Sequence, residues 1–353
     1  MLFRPSSWSC RLAWACFCLV LGAPFIVPPV FAQNPVPPAP VDRARLDQVL
    51  KGLNRGRAAA QVAISPDGKR VAWVEGPRDG GSVMVAPLDD LKQAERVSAA
   101  AKPDQRCQES DIAWEPDAKG LAFFSDCAQP GEQVDLYLSK LDGNPARRLT
   151  ELRGYVSQPA FSPDGSSVAF LYVEGATRPA GALAAIKPPA GVIGEDGVEI
   201  QRVAVAAVDP DAPEAPDEVT PADLHIYEFD WSPDSKALAY VAAEPPGENN
   251  WWVAKLYTQT INQPPKAILA PAEVAGPLHG LQIAVPRWSP DGKAIAFIGG
   301  LMSDQGSTGG DVWIISSSGG TPRDLTAGRP TTAAWIEWED TEHLFVSELA
   351  GGN

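Results

Sequence analysis

Residues 287 to 298 read Arg-Trp-Ser-Pro-Asp-Gly-Lys-Ala-Ile-Ala-Phe-Ile, and this stretch decides the fold. Pro290 fixes φ at the first corner of a turn, Asp291 tolerates the second corner, and Gly292 supplies the left-handed position that closes a hairpin. The residues after the turn alternate between small and large apolar side chains, as in a β-strand. The stretch therefore predicts two antiparallel strands joined by a tight turn.

The same pattern recurs along the chain. Clear copies begin at Ala63, Ala113, Ala160 and Asp230, and a degenerate copy begins at Trp338. The prolines of the five clear copies, at positions 66, 116, 163, 233 and 290, are 47 to 70 residues apart. Blades of four-stranded β-propellers repeat at about 40 to 50 residues, and insertions lengthen single blades. The sequence therefore predicts an all-β protein, a β-propeller of four-stranded antiparallel blades with about six repeats, the last of them incomplete.

Each repeat also contains an aromatic position and a second half. We assign the aromatic position to packing between blades, and its members are Trp73, Trp114, Phe161, Trp231, Trp288 and Trp338.

The second halves contain alternating segments such as residues 82–88, 135–141 and 311–315, and two of these lead through a glycine turn to a basic segment that ends in Leu-Thr. These segments predict the outer strands of the blades. Residues 175 to 200, rich in glycine and proline, predict a long loop in the third blade, whose apolar segments favour packing against another surface.

The residues before the first repeat predict export. Residues 1 to 32 carry two arginines before an apolar run and end in Val-Phe-Ala, which is typical of a secretory signal peptide. A membrane anchor is the alternative, which the glycine and prolines in the run disfavour. Residues 33 to 58 predict a proline-rich linker and a short amphipathic helix, and the propeller is expected over residues 59 to 353. The mature protein is expected to be periplasmic or secreted.

Two of the five cysteines, Cys107 and Cys127, lie in the second repeat, and the other three lie in the predicted signal peptide. If the second hairpin is centred on its turn, with Trp114 opposite Gly120, the two cysteines face each other on neighbouring strands. An oxidising compartment favours a disulfide between them, with a structural role, and two buried free thiols are the alternative.

Charge and motif spacing exclude several classes of function. The formal net charge is −15, and no basic stripe is present, so nucleic acids and anionic membranes are poor partners and no membrane association is expected after signal cleavage. No cysteine and histidine cluster has the spacing of metal ligands, and no glycine-rich phosphate loop connects a strand to a helix. We therefore expect no metal site and no cofactor.

The repeated hairpins, together with residues 221–231, 249–256 and 300–306, resemble the N-terminal propeller of exported prolyl oligopeptidase-family serine peptidases. The acylaminoacyl-peptidase and dipeptidyl-peptidase-like branch is the most similar, and TolB-like and WD40-like propellers share the turn motif. The resemblance implies a C-terminal α/β-hydrolase domain with a Ser-Asp-His triad, and a propeller that restricts access to it and helps to select short peptides. The chain ends within its sixth repeat and contains no Gly-x-Ser-x-Gly motif, so we expect the hydrolase domain to be absent from it. No catalytic residue is predicted, because His225, His279 and His343 lie in or beside hairpins and loops.

Some residues are candidates for contact with substrate in a complete enzyme: Trp251, Trp252, Arg287, Met302, Asp304 and Gln305. The two tryptophans are adjacent in a predicted strand, so one is expected in the core and the other either at the surface or against a neighbouring blade. Arg287 is expected either to face the central channel and attract a peptide carboxylate or to form a structural salt bridge. The other three lie on a glycine-rich loop that is expected to border a pocket.

Two functions follow from these observations. In the first, the chain is the non-catalytic, gating part of a secreted serine peptidase, and its partner is a peptide substrate that reaches the hydrolase domain. In the second, it is a stand-alone periplasmic TolB-like propeller that binds proteins or peptides. A TolB-like chain has a substantial α/β domain before its propeller, whereas here residues 33 to 58 separate the signal from the first blade, which favours the first function.

We predict that residues 33 to 353, produced alone, are marginally stable and aggregate or form oligomers. Propeller blades bury their faces against neighbours, and five full repeats with part of a sixth leave two blade faces without one. Sedimentation velocity and a thermal unfolding scan test this prediction. A soluble monomer that unfolds cooperatively at high temperature contradicts it.

Overall fold

The computed structural model describes residue 45 and residues 59–76, 81–102, 105–176, 199–212, 214–245, 250–301 and 309–351. The predicted signal peptide, the linker and all of the predicted helix except Arg45 lie outside the described residues, as does most of the predicted loop in the third blade. What the sequence indicates for these segments stays a prediction. No helix among the described residues is long and apolar enough to cross a membrane.

The described residues form five four-stranded sheets and one two-stranded sheet, each an antiparallel meander in chain order. The first three sheets are β1 (Ala59–Ile64), β2 (Arg70–Glu75), β3 (Ser82–Pro87) and β4 (Glu95–Val97); β5 (Glu109–Trp114), β6 (Leu121–Gln129), β7 (Gln133–Ser139) and β8 (Arg147–Arg148); and β9 (Gly154–Phe161), β10 (Ser167–Glu174), β11 (Arg202–Ala207) and β12 (Asp217–Glu218). The others are β13 (His225–Trp231), β14 (Ala237–Ala243), β15 (Lys255–Thr260) and β16 (Lys266–Leu269); β17 (Gln282–Trp288), β18 (Ala294–Gly300), β19 (Asp311–Ser316) and β20 (Arg323–Asp324); and β21 (Thr331–Trp338) and β22 (Leu344–Ala350). Short 3-10 turns lie at Leu91–Gln93, Trp251–Val253 and Pro271–Glu273. The predicted propeller blades are confirmed, including the incomplete sixth.

Because the strands alternate in direction, the connections fall on two sides of the propeller. The turn face is the side of the Ser-Pro-Asp turns, and the third strands end there. The loop face is the opposite side, where every first strand begins and every second strand ends.

Five clusters of buried apolar residues hold the blades together, and each cluster joins two consecutive blades. The first, for example, combines Val74 and Val85 of the first blade with Trp114 and Phe123 of the second. A sheet with two apolar faces cannot bury both alone, so each blade depends on its neighbours.

Three tryptophans at the ends of first strands also tie blades together by hydrogen bonds. The indole Nε1 of Trp114 donates to the carbonyl of Ala63 at 3.0 Å, and Trp231 donates to Ala160 at 3.2 Å. Trp338 donates to the carbonyl of Arg287 at 3.1 Å. Each acceptor belongs to the first strand of the preceding blade, so the predicted packing role is confirmed for these positions.

The assignment was wrong for Trp73, which lies in β2 and pairs with Val62. Its counterparts are the aromatic residues of the other second strands, such as Phe123 and Phe170, while Ile64 ends the first strand of that blade. In the second to fifth hairpins both strands carry an aromatic residue, whereas in the first hairpin only the second strand does, so the prediction assigned Trp73 to the wrong strand. Trp288 packs against the cluster shared by the fourth and fifth blades, as predicted, but its Nε1 donates to the carbonyl of Gly292 within its own turn at 3.1 Å.

The Ser-Pro-Asp turns are stabilised by their own side chains. Ser289 Oγ donates to Asp291 Oδ1 at 2.8 Å and accepts from the amide of Ala294 at 2.9 Å, and the amide of Lys293 donates to Asp291 Oδ1 at 3.1 Å. The turns that begin at Ser65 and Ser232 contain the same bonds. Each hairpin is therefore specified locally, which is why the sequence predicted it.

The predicted disulfide between Cys107 and Cys127 is confirmed, with Cα atoms 4.9 Å apart. The predicted register was off by one beside the turn, where Trp114 lies opposite Leu121. A bulge between Ser110 and Ala113 then shifts the pairing, so that Glu109 lies opposite Ser125 and the two cysteines come opposite each other. The bond fits a protein exported to an oxidising compartment.

Two blade faces carry exposed apolar residues. Val62 and Ile64 are exposed on β1, and Trp335, Phe345 and Leu349 are exposed on β21 and β22. The residues that alternate with them pack against the neighbouring blade, for example Ala333 and Ile336 against the fifth. These are the surfaces on which the predicted self-association depends.

We predict that Gly154→Ala destabilises the third blade by about 3–5 kcal/mol. Gly154 has φ +140°, and a Cβ atom there would lie 2.1 Å from the carbonyl oxygen of Val173. The matched control is Gly175→Ala, because Gly175 has φ +70° and no atom within 4 Å of the added Cβ, so its cost is about 1 kcal/mol. Urea unfolding measures both, and equal losses would contradict the steric argument.

Candidate functional site

The first strands of all six blades are bulged. Each pairs with its second strand through a register shift, and non-glycine residues with positive φ lie in three of the bulges: Asp111, Gln158 and Val285. A bulge removes backbone groups from the ladder, and these groups need other partners. In two junctions a side chain of the preceding blade supplies the partner.

Gln61 bridges the first and second blades. Its Nε2 donates to the carbonyl of Ile112 at 3.1 Å, and its Oε1 accepts from the amide of Ile112 at 2.7 Å. In the fourth blade, the carboxylate of Glu228 accepts from the amide of Val285, inside the bulge of β17. Asp230 Oδ2 accepts from the amide of Trp288 at 2.6 Å. The bulged strands are thereby tied to their neighbours by polar contacts.

Arg287 lies among these carboxylates. Its Nε is 3.3 Å from Glu337 Oε2 on β21, and its positive charge opposes the rise that burial causes in the pKa of Glu228 and of Asp230. One guanidinium thus interacts electrostatically with three carboxylates from the fourth and sixth blades, and we name Glu228, Asp230, Arg287 and Glu337 the acid cluster. The structural salt bridge that the sequence suggested for Arg287 is present. The surrounding negative charge makes Arg287 a weak receptor for a peptide carboxylate.

Burial raises the pKa of Asp230 to about 6, although Arg287 and the amide of Trp288 oppose the shift, and Glu337 adds to it. Burial likewise raises the pKa of Glu228, against the amide of Val285 and Arg287. Both shifts have desolvation as their main cause. Glu228 and Asp230 therefore titrate closer to neutral pH than ordinary carboxylates do.

The tryptophan pair lies elsewhere, on the loop face of the fourth blade. Trp251 and Trp252 belong to a 3-10 turn and not to a strand, so the expected alternation of strand side chains does not apply. Trp251 packs against the cluster shared by the fifth and sixth blades, whereas Trp252 is about half exposed, and their rings lie 5.1 Å apart. The structure places the pair at the end where β17 begins, while Arg287 lies near its other end. Met302, Asp304 and Gln305 lie outside the described residues, so their role stays a prediction.

Sequence reasoning missed a cleft of about 350 Å³ between the first and second blades, whose lining includes Arg70, Arg96 and Asn144. The guanidinium of Arg70 lies 5.2 Å from the centre of the Trp114 ring and donates to the carbonyl of Ala118. Arg96 Nη2 is 3.5 Å from Oε1 of the fully buried Glu109. The sequence contains one indication of this cleft, because the first repeat has Arg70 at a position where the other clear repeats have small residues.

The histidines do not form a catalytic arrangement within the described part of the chain. His225 is fully buried, which lowers its pKa to about 4, and its Nδ1 accepts from the amide of Gln201 at 3.3 Å. His343 is exposed and lies 2.8 Å from Asp340 in its own turn. No group of three His, Cys, Asp or Glu residues in the described ranges is arranged to hold a metal ion.

Comparisons with known proteins agree with the resemblance drawn from the hairpins. Dipeptidyl-peptidase 5 of Porphyromonas gingivalis is 26% identical over 189 residues, which cover 51% of this chain and 24% of that protein. A TolB homologue of Chlorobium luteolum is 31% identical over 123 residues, 35% of this chain and 26% of that protein. A solved prolyl endopeptidase structure matches with a TM-score of 0.51 at 12% identity, over 80% of this chain and 37% of that one.

The matched part of the chain spans about a quarter of the length of these curated relatives. No family model matches the chain. The structural likeness establishes the fold, and the sequence likeness confirms the resemblance to the propellers of prolyl oligopeptidase-family peptidases and of TolB.

We predict that Asp230→Asn changes the pH dependence of stability. The pKa of Asp230 is about 6 in the folded chain and near 3.8 when unfolded, so ionisation above pH 6 disfavours the folded state, and stability rises as the pH falls towards 3.8. The asparagine keeps an acceptor for the amide of Trp288 and does not ionise. From pH 8 to pH 5, the parent chain should gain about 1 kcal/mol relative to the variant in urea unfolding.

Asp291→Asn is the matched control. Its carboxylate has a pKa lowered to about 2 by Lys293 and Ser289, so it is ionised in both states between pH 5 and pH 8. The control should lose stability by the same amount throughout this range. If the difference in the free energy of unfolding between the parent chain and the Asp230→Asn variant is also the same at every pH in this range, Asp230 titrates as an ordinary aspartate does.

Proposed function

We propose that this chain is the non-catalytic propeller portion of an exported serine peptidase of the prolyl oligopeptidase type. The observation that carries the proposal is the likeness to dipeptidyl-peptidase 5 over half of the chain, on a scaffold of propeller blades. The absence of a nucleophile elbow from the sequence fits a portion whose role is not chemical.

The architecture supports a role in restricting access to an active site. The first strands of neighbouring blades are fixed to each other by Gln61, Glu228 and Asp230 and by the indole of Trp231. Bonds of this kind oppose separation of the blades, so the propeller keeps its shape. A propeller of fixed shape beside a hydrolase active site would admit short peptides and exclude folded proteins.

A stand-alone binding module is the second candidate function. The likeness to a TolB homologue, at 31% identity over 123 residues, favours it. In this case the propeller would bind proteins or peptides without a hydrolase domain.

The test combines a fluorophosphonate serine-hydrolase probe with immunoprecipitation from the native periplasm, using an antibody raised against residues 59–353. We expect a labelled polypeptide heavier than 37.5 kDa by the mass of a hydrolase domain. A sample treated with a serine-hydrolase inhibitor before labelling is the control and should lose the signal. An unlabelled polypeptide slightly lighter than 37.5 kDa would reject the peptidase and favour the binding module.

A further inference from the structure

The cleft between the first and second blades lies on the turn face and has the size of a small-ligand site. Its walls are the starts of β2 and β4, the end of β3 and the turn that follows β7. Its volume of about 350 Å³ is at the small end of the range that ligand pockets cover. The cleft therefore suits a molecule of the size of an amino acid or a dipeptide.

Arg70 is held in position at this cleft by the second blade. Its guanidinium carbon lies 5.2 Å from the centre of the Trp114 ring, and its Nη2 donates to the carbonyl of Ala118. Among the described residues, its Nε and Nη1 have no hydrogen-bond acceptor. A guanidinium fixed in this way loses little freedom when it binds a ligand, and its remaining donors suit the two oxygens of a carboxylate.

Arg96 contributes a second guanidinium from β4. Its Nη2 is 3.5 Å from Oε1 of Glu109, which is a long contact, and the side chain of Arg96 is 40% exposed. Shorter bonds already satisfy Glu109, because it accepts from Ser98 Oγ at 2.8 Å and from the amides of Val83 and Ala99 at 3.1 and 3.3 Å. The donors of Arg96 are therefore available for a ligand in the cleft.

The turn after β7 gives the cleft a firm wall and one further donor. The carboxylate of Asp142 accepts from the amide and the Nδ2 of Asn144 at 3.1 and 2.9 Å, so the turn is fixed locally. Ser139 is 3% exposed, and its Oγ accepts from the amide of Leu141 at 3.1 Å. Its hydroxyl hydrogen has no acceptor in the part of the chain that the structure describes, so it can donate to a ligand.

The charges and the apolar lining select the kind of ligand. Two carboxylates balance the two guanidiniums, because Glu95 is exposed in the lining and Glu109 lies behind Arg96. A cleft with balanced charges favours a zwitterion over an anion of several charges such as phosphate. The lining also includes an apolar wall, formed by Val85, Pro87, Val97, Leu141 and Pro145. An apolar side chain of the ligand would be buried against it.

We propose that this cleft binds a short zwitterionic peptide of about two residues that carries an apolar side chain. Arg70 and Arg96 hold its carboxylate, and Glu95 pairs with its ammonium group. The ligand touches both blades, so its binding stabilises their junction by mass action. The inference goes beyond the proposed function and does not depend on it, because every residue that it uses lies in this chain.

The test is isothermal titration calorimetry on the full-length protein, purified from its native host and treated with a serine-hydrolase inhibitor so that no peptide is cleaved. The probe is L-alanyl-L-leucine. Its C-terminal amide lacks the carboxylate, its N-acetyl form lacks the ammonium group, and inorganic phosphate is an anion without an apolar side chain. These four titrations use the parent protein, so their outcome does not depend on the folding of a variant.

The variants Arg70→Gln and Arg96→Gln then locate the site. Arg147→Gln is the matched control, because Arg147 also donates to a carbonyl, that of Val208 at 2.6 Å, and does not line the cleft. A thermal unfolding scan of each variant shows whether it is folded.

We expect saturable binding of the dipeptide to the parent protein and to Arg147→Gln. Loss of the carboxylate, or of either cleft arginine, should weaken binding roughly 10- to 100-fold, because each removes hydrogen bonds between charged groups. The N-acetyl form should bind a few-fold more weakly, since its partner Glu95 is exposed to solvent.

Three results would overturn the proposal. The first is no saturable binding of the dipeptide to the parent protein, and the second is equal binding of the dipeptide and its amide. The third is binding that neither Arg70→Gln nor Arg96→Gln weakens while both are folded. Phosphate that binds as tightly as the dipeptide would reject the zwitterion as the ligand. None of these outcomes depends on whether a hydrolase domain is present, so the failure of this proposal and that of the proposed function can be told apart.

Discussion

The structure depends on contacts across the junctions between blades. Every blade is a small sheet with two apolar faces, and the five buried clusters each require residues from two blades. The indoles of Trp114, Trp231 and Trp338 add a directional bond to these junctions, because each donates to a carbonyl of the preceding first strand. Apolar packing alone would allow neighbouring blades to slide, whereas a buried hydrogen bond fixes their relative position.

Features that depend on a few neighbouring residues could be predicted from the sequence. The Ser-Pro-Asp turn contains its own hydrogen bonds within six residues, so Ser289 and Asp291 are sufficient to identify the hairpin. The disulfide was predicted from a hairpin register and an oxidising compartment. The register was wrong by one residue at Trp114, and the bulge between Ser110 and Ala113 compensated for the error. A prediction can thus be correct although one step behind it is not.

The features that could not be predicted depend on distant parts of the chain. A bulge at Val285 has no glycine to announce it, and its amide is satisfied by Glu228, 57 residues earlier. The 3-10 turn at Trp251 is fixed by packing on the fifth and sixth blades, and its sequence resembles a strand. The cleft at Arg70 and Arg96 exists because two blades meet there. The local propensity of a segment for helix or strand carries no information about its contacts with distant segments.

The side chains that hydrogen-bond to a bulged strand of the next blade are neutral in one junction and ionisable in another, and the two cases differ in their contribution to stability. Gln61 is neutral and satisfies both backbone groups of Ile112, so these two hydrogen bonds do not depend on the ionisation of a side chain. Glu228 and Asp230 perform the same task as carboxylates, which places two half-buried charges near one guanidinium. A charge that is removed from water destabilises the fold unless an opposite charge pairs with it. Arg287 forms its salt bridge with Glu337, so the carboxylates of Glu228 and Asp230 are only partly compensated. The hydrogen bonds of Glu228 and Asp230 are therefore less favourable at neutral pH than those of Gln61, although the blades and their turns follow the same pattern.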